Sequence, residues 1–215
     1  LVAEAEENNL GNKAIHSRFT RWRQCSLCEQ WYHGVVACAL GWASWKTYVV
    51  RPETDWARRS AMTELGNGLS AAQQHVEALT VKEAELTTLR RVGVPVKQIL
   101  DAQTNLANTY STLGRDEEAM CLRRDVYSGH LRLWGEEHRK TLMAAGNYAI
   151  SLGALERSEE AKALLRKTVP VARRVLGEHN HLTFSLRANY AAALHSDPDA
   201  TLDDLREAVT TLEET

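Results

Sequence analysis

The sequence predicts an all-α fold, a solenoid of stacked helix-turn-helix repeats. Three observations carry this: several residue types recur at one period, apolar positions inside each period run at helical spacing, and Gly closes each unit at the same place. Gly93, Gly135 and Gly177 lie 42 residues apart, and Arg90, Arg132 and Arg174 repeat the interval three residues earlier. Asn105, Asn147 and Asn189 form a third series, each followed by Leu or Tyr and then Ala. Ala119 pairs with Ala161 in the same register, and Thr141 with Thr183. Residues 57–92 join with a one-residue slip that sets Leu65 against Leu106 and Ala78 against Ala119. A shared register at roughly 34–45 residues is the mark of a solenoid.

Each unit reads as a helical hairpin. In repeat two, Ile99, Ala102, Leu106, Ala107, Tyr110 and Leu113 define one apolar helix face. Gly114 ends that helix, and Asp116 stands where an N-cap belongs, with Glu117 and Glu118 favouring the new helix's N-terminus. A second helix is expected over about 117–133, closed by Gly135. Repeat three runs likewise: a helix around Leu142 to Leu155, Ser158 as cap, then a helix to Leu176 and a stop at Gly177. Pro170 inside that second helix removes a backbone bond and predicts a kink. Repeat four stops partway through its second helix, so the expectation is three complete repeats and one partial one over 51–215. That ending, with the absent starting Met, implies a fragment of a longer chain. Residues 1–50, rich in Trp and Cys, are expected to form a small cap ahead of the repeats.

Composition narrows the function classes. The chain has 215 residues, 44% hydrophobic and 25% charged, with a net charge of −2. That balance supplies no global basic field for nucleic acid. The longest apolar stretch, Gly34 to Trp45, is shorter than the roughly 20 residues a bilayer span needs. The acidic LVAEAEENN start lacks a signal-peptide pattern. Four Cys in a chain of this size read as cytoplasmic thiols or metal ligands rather than a disulfide framework.

The stretch NLANTYSTLGRDEEA, followed by a long helix ending in LWGEEHRKTL or VLGEHNHLTF, resembles the tetratricopeptide repeat. The repeat length and the G-E-x-H turn resemble the kinesin-light-chain subtype in particular. The likeness covers residues 55–215, although the turn histidine at His138 shifts to His179 in the next repeat and is absent after Gly93. The resemblance implies a right-handed superhelix whose first helices line a concave channel that binds an extended peptide or partner protein. In such repeats two positions face the channel: the residue before the first helix's Leu/Tyr anchor, and the one two places after it. Carried over, these are Asn105, Asn147 and Asn189 for the first position, and Asn67 and Asn108 for the second. An amide offers donor and acceptor together and can grip a peptide backbone whatever its sequence. Repeat one carries Glu64 in place of the first Asn. The same periodicity also fits Asn side chains that bond across helices inside the stack.

Catalysis is not expected. The acidic pairs Glu117-Glu118, Glu159-Glu160 and Asp203-Asp204 fall where second helices begin and read as solvated first-turn charges. His138, His179 and His181 sit at inter-repeat turns, Cys121 is a lone thiol, and no phosphate-cradling loop or nucleophile elbow occurs.

Cys25, Cys28, His33 and Cys38 follow the spacing C-x2-C-x4-H-x4-C. Thiolate and imidazole suit zinc, and four ligands would make one closed structural zinc site. The spacing equals that of the CCHC zinc knuckle, but Ser26 and Tyr32 replace that family's aromatic and Gly. The other reading is a degenerate hairpin whose Leu40, Trp42, Trp45 and Tyr48 pack on repeat one. Ahead of it, His16, Arg18, Arg21, Trp22 and Arg23 mix basic and aromatic side chains. They either stack on bases, making a zinc-dependent adaptor for RNA or DNA, or form a helix with Trp22 inward and Arg outward.

Overall fold

The computed structural model describes residues 8, 11–196 and 200–213. They form ten α-helices: α1 Asn12–Phe19, α2 Gly34–Tyr48, α3 Trp56–Ala71, α4 His75–Val92, α5 Val96–Thr112, α6 Asp116–Trp134, α7 Arg139–Ala154, α8 Ser158–Leu176, α9 His181–His195 and α10 Leu202–Glu213. A short 3-10 turn, Thr20–Trp22, follows α1. No strand occurs among the described residues; a single bridge pairs Gln24 with Trp31. The fold is an all-α solenoid of helix-turn-helix repeats, with pairs α3/α4, α5/α6, α7/α8 and α9/α10 in the expected order. By internal contacts the chain divides into two compact units, Leu1–Thr109 and Tyr110–Thr215, with the boundary inside α5.

In the first unit α2 crosses α3 at backbone contact. A Cβ on Gly41 would lie 2.9 Å from Glu64 O, and one on Gly68 would lie 2.6 Å from Ala37 O. Two glycines therefore set how closely these helices approach. The face α2 buries is Cys38, Gly41, Ser44 and Tyr48, at helical spacing, with Trp45 packed beside it. Trp42, expected to pack on repeat one, is 42% exposed because it projects from the other side of α2. Phe19 and Tyr48 meet Ala57 and Ala61 in a small core, with Trp22 and Trp56 against it. Trp22 is thus turned inward, edge-on to Tyr48. Asp55 caps α3, its Oδ1 accepting from Ala57 N at 2.7 Å and Arg58 N at 3.2 Å.

The second unit buries Leu142, Leu152, Leu165, Leu186 and Leu194 in one core with Ala149, Ala161 and Ala172. Small residues again set helix distance: a Cβ on Gly146 of α7 would stand 3.0 Å from Leu186 Cδ2 of α9. His138 caps α7 through Nδ1, and Asn180 caps α9 through Oδ1, which accepts from Leu182 N at 3.0 Å. Arg187 is buried, donating to Thr211 O at 2.9 Å and pairing with Glu178 at 2.6 Å. A charge so deep persists only with such partners.

The turns inside the first three hairpins follow one pattern. Gln73, Gly114 and Glu156 take left-handed φ of 64°, 70° and 58°. The next residue's N–H then folds back: Gln74 to Leu69 O, Arg115 to Tyr110 O and Arg157 to Leu152 O, each 2.9 Å. This shifts the expected caps by one. Arg115 and Arg157, not Asp116 and Ser158, hold the N-cap positions, because the fold-back bond is made by the residue after the left-handed one. Neither Arg supplies a side-chain cap; each reaches forward instead, Arg115 Nε to Glu118 Oε1 at 2.8 Å and Arg157 Nε to Glu160 Oε1 at 2.6 Å. Helix α8 runs unbroken through Pro170, which lies on the exposed side where water can replace the lost bond. Among the described residues no helix is long and apolar enough to cross a membrane.

Candidate partner-binding face

Each first helix carries a stripe at spacing i, i+4, i+7. On α3 it reads Ser60, Glu64, Asn67; on α5 Asp101, Asn105, Asn108; on α7 Met143, Asn147, Ile150; on α9 Ser185, Asn189, Ala192. The five sequence-predicted asparagines all lie on these stripes. Asn67 and Asn108 are exposed, while Asn105, Asn147 and Asn189 are half-buried. Chemistry changes along the series: Asp101 and Asn108 on α5 give way to Met143 and Ile150 on α7, 43% and 48% exposed.

Clefts open beside the stripes within each unit. In the first, about 320 Å³ lies between α3 and α5 over α4, lined by Arg59, Thr63, Glu85, Gln98, Asp101 and Asn105 among others. It is rich in charge and amide groups. In the second, about 300 Å³ lies between α7 and α9, where Ala149, Ile150, Ala192 and Ala193 surround Asn189. That one is mostly apolar.

Behind two of the half-buried asparagines, Asn105 and Asn147, stand cations that sequence reasoning missed. Lys82 on α4 donates to Ser70 Oγ at 2.8 Å and Thr109 Oγ1 at 2.9 Å, and its Nζ lies 3.5 Å from the Asn105 carbonyl. Arg123 on α6 does the same one repeat later, to Ser151 Oγ at 2.8 Å and the Asn147 carbonyl at 3.4 Å. The main chain at Asn105 and Asn147 is thereby held from the rear. Among the described residues, the side-chain amides of Asn67, Asn105, Asn147 and Asn189 make no hydrogen bond. Burial draws the Lys82 ammonium down to about 8, against the smaller opposing pull of Glu85. Glu85 is pushed up by burial, tempered by the bond from Thr63. At the Asn position of repeat one, Glu64 meets Arg23 at 3.3 Å, and burial raises its carboxyl although Arg23 opposes this. A signal for the cations existed: Lys82 and Thr109, Arg123 and Ser151, and Leu165 and Ala193 occupy matched positions, polar twice and apolar once.

Of the sequence-predicted metal ligands, Cys25 and Cys28 come together. They lie in a tight loop where Cys25 N donates to Gln30 O at 2.9 Å and Tyr32 N to Arg23 O at 2.9 Å. Backbone N–H groups of Cys28 and then Leu27 donate to the Cys25 sulfur, with a further contact from the Cys28 side chain, and hold that thiol down to about 7. His33 is exposed at the N-cap of α2. Cys38 is buried against α3, its Sγ 3.8 Å from Gln74 Oε1. Among the described residues no three His, Cys, Asp or Glu side chains are grouped so as to hold a metal. The four-ligand zinc site is therefore not assembled within the described chain; two of its members are. Of the basic and aromatic residues ahead, His16 stacks on Trp56 at 4.4 Å and Arg23 is paired with Glu64.

The comparisons with known proteins agree with the geometry. The tetratricopeptide repeat family model matches residues 99–139 and 141–182. No curated protein matches the chain. Among solved structures, Podosopora anserina kinesin light chain nearly identical TPR-like repeats align with a TM-score of 0.69 at 20% identity, covering 83% of this chain and 82% of that one. A singly substituted form of those same repeats gives the same figures. BtubC (BKLC) from P. vanneervenii aligns at 0.60 and 15% identity, over 83% of this chain and 70% of that one. The tetratricopeptide repeat model thus matches two successive units of the array, and the chain shares the fold of kinesin-light-chain-like repeat arrays.

Proposed function

We propose that this protein is a protein-interaction scaffold that holds an extended segment of a partner against the stripes of its first helices. The observation that supports this most is the treatment of Asn105 and Asn147. A cation holds the main chain of each, Lys82 buried and Arg123 half-buried, and the amide itself stands half-exposed on the stripe. An amide set on a fixed main chain has only its own side-chain rotamers to order when it bonds a peptide, and repetition along the array adds small gains. In the second unit, Ile150 and the apolar cleft beside Asn189 suit an apolar side chain of the bound segment. In the first unit, Arg59, Gln98 and Asp101 suit a polar one. The reading assigns no catalytic step to any residue.

The test is a random-peptide array probed with the purified chain, followed by calorimetry on the peptides retained. Replacing Asn105, Asn147 and Asn189 together by Ala should weaken binding at least tenfold while leaving the melting temperature within about 2 °C. Unchanged affinity would remove the stripe from the binding site, and a collapsed melting temperature would make the amides structural.

A further inference from the structure

We propose that Cys25 and Cys28 form half of a tetrathiolate zinc site, completed by the same two cysteines of a second copy of this chain. The loop that carries them is built for thiolate ligands. Its ends are tied by the Gln24–Trp31 bridge, by Cys25 N to Gln30 O and by Gln24 Nε2 to Glu29 O at 2.7 Å. Glu29, directly after the second Cys, takes φ of 56°, so the chain turns back beneath the pair. The two cysteines stand three residues apart on one closed loop, where Glu29 N donates to Cys25 O at 3.0 Å.

Two sulfurs leave a tetrahedral zinc ion two ligands short. The described residues do not supply them: Cys38 is committed to packing against α3, and no third donor joins the pair among them. A two-fold axis through the ion supplies them instead, since an identical loop brings the same pair from the opposite side. The surroundings fit that occupant. Leu27, Trp31, Val35 and Val36 are 94%, 54%, 77% and 49% exposed, an apolar collar within residues 27–36 that a second collar would cover. Binding leaves all four sulfurs as thiolates, any thiol proton passing to solvent, and no electron moves.

The experiment uses the full chain in a non-thiol reductant, which excludes disulfide-linked pairs. Light scattering with added zinc should show a dimer and with chelator a monomer, and elemental analysis should give one zinc per two chains. Cobalt should produce the thiolate charge-transfer bands of a four-sulfur tetrahedral site in the unaltered protein, a readout independent of any variant. Cys25→Ser and Cys28→Ser should each lose metal and dimer, with the dimer at least tenfold weaker and helicity unchanged. Cys38→Ala, His33→Ala and Cys121→Ser should keep both. One zinc per monomer, loss of metal on changing His33 or Cys38, a dimer that survives chelation, or no metal bound at micromolar free zinc would each overturn the proposal.

Discussion

Lys82 donates to Thr109 across 2.9 Å, from the second helix of one repeat to the first helix of the next. The pair recurs as Arg123 and Ser151 at 2.8 Å and is replaced one repeat further by Leu165 and Ala193. A cation with a hydroxyl and a Leu with an Ala are alternative fillings of one inter-repeat space. A half-exchanged pair leaves a buried polar group without its partner, which costs about 1–3 kcal/mol.

This gives a double-mutant cycle. Thr109→Ala alone should destabilise the protein by about 1 kcal/mol, because Lys82 keeps its bond to Ser70. Lys82→Leu with Thr109→Ala should cost less than the sum of the single changes, with a coupling of about 1 kcal/mol by urea unfolding. Strict additivity would mean that the contact carries no energy.

The same lysine sets a pH dependence. Its folded value is about 8 against an ordinary 10.5, lowered chiefly by burial. Between those values the unfolded chain binds more protons than the folded one, so unfolding free energy rises with pH across the window. Below about 8 the buried charge is a standing cost, and that cost is relieved as pH climbs toward 10.5. Chemical denaturation at pH 7.5 and pH 10 should show Lys82→Met gaining on the wild type at the lower pH and losing that gain at the higher. A constant difference would place the proton elsewhere.

At Glu156, a non-glycine residue holds a left-handed φ of 58° that Gly114 holds freely in the preceding repeat. The left-handed conformation costs an L-residue about 1 kcal/mol, partly offset by the greater chain entropy of Gly when unfolded. Glu156→Gly should therefore stabilise by about 0.5 kcal/mol, and Gly114→Ala should destabilise by about 1 kcal/mol, both read from thermal melts. A destabilised Glu156→Gly would show that the Glu side chain contributes more than its backbone strain costs.

These turns also show where the sequence stops being legible. Equal spacing of Asn105, Asn147 and Asn189 sets the register, because each repeat meets the same neighbours and retains the same residue. The helix ends at Gly135 and Gly177 are legible for the same reason, as φ values of 78° and 89° require Gly. Gln73 and Glu156 are not legible, since nothing in their side chains announces a left-handed turn; the caps fall one residue early even after Gly114, because the N–H that folds back is that of Arg115. Cys38 misleads through spacing alone: its place in the core depends on α3, a contact that local pattern cannot encode. The cations behind the stripe are hidden for a similar reason, as Lys82 and Thr109 stand 27 residues apart.

The last prediction concerns the crossing of α2 and α3. An Ala at Gly68 would set its Cβ 2.6 Å from the Ala37 carbonyl and 3.0 Å from Cys38 Cα. Both obstacles are backbone, so no rotamer change relieves them and the helices must separate. Separation loosens the packing of Cys38, Leu65 and Leu69 with Trp45, and overpacking of this kind costs about 1–3 kcal/mol. Gly153 is the matched control: it is also helical, but nothing lies within 4 Å of its Cβ position. Gly153→Ala should stabilise by about 0.5 kcal/mol through helix propensity. Gly68→Ala should shift tryptophan fluorescence and raise hydrogen exchange in residues 34–48 before the rest of the chain. Equal effects from the two substitutions would mean that α2 does not cross α3 at this distance in solution.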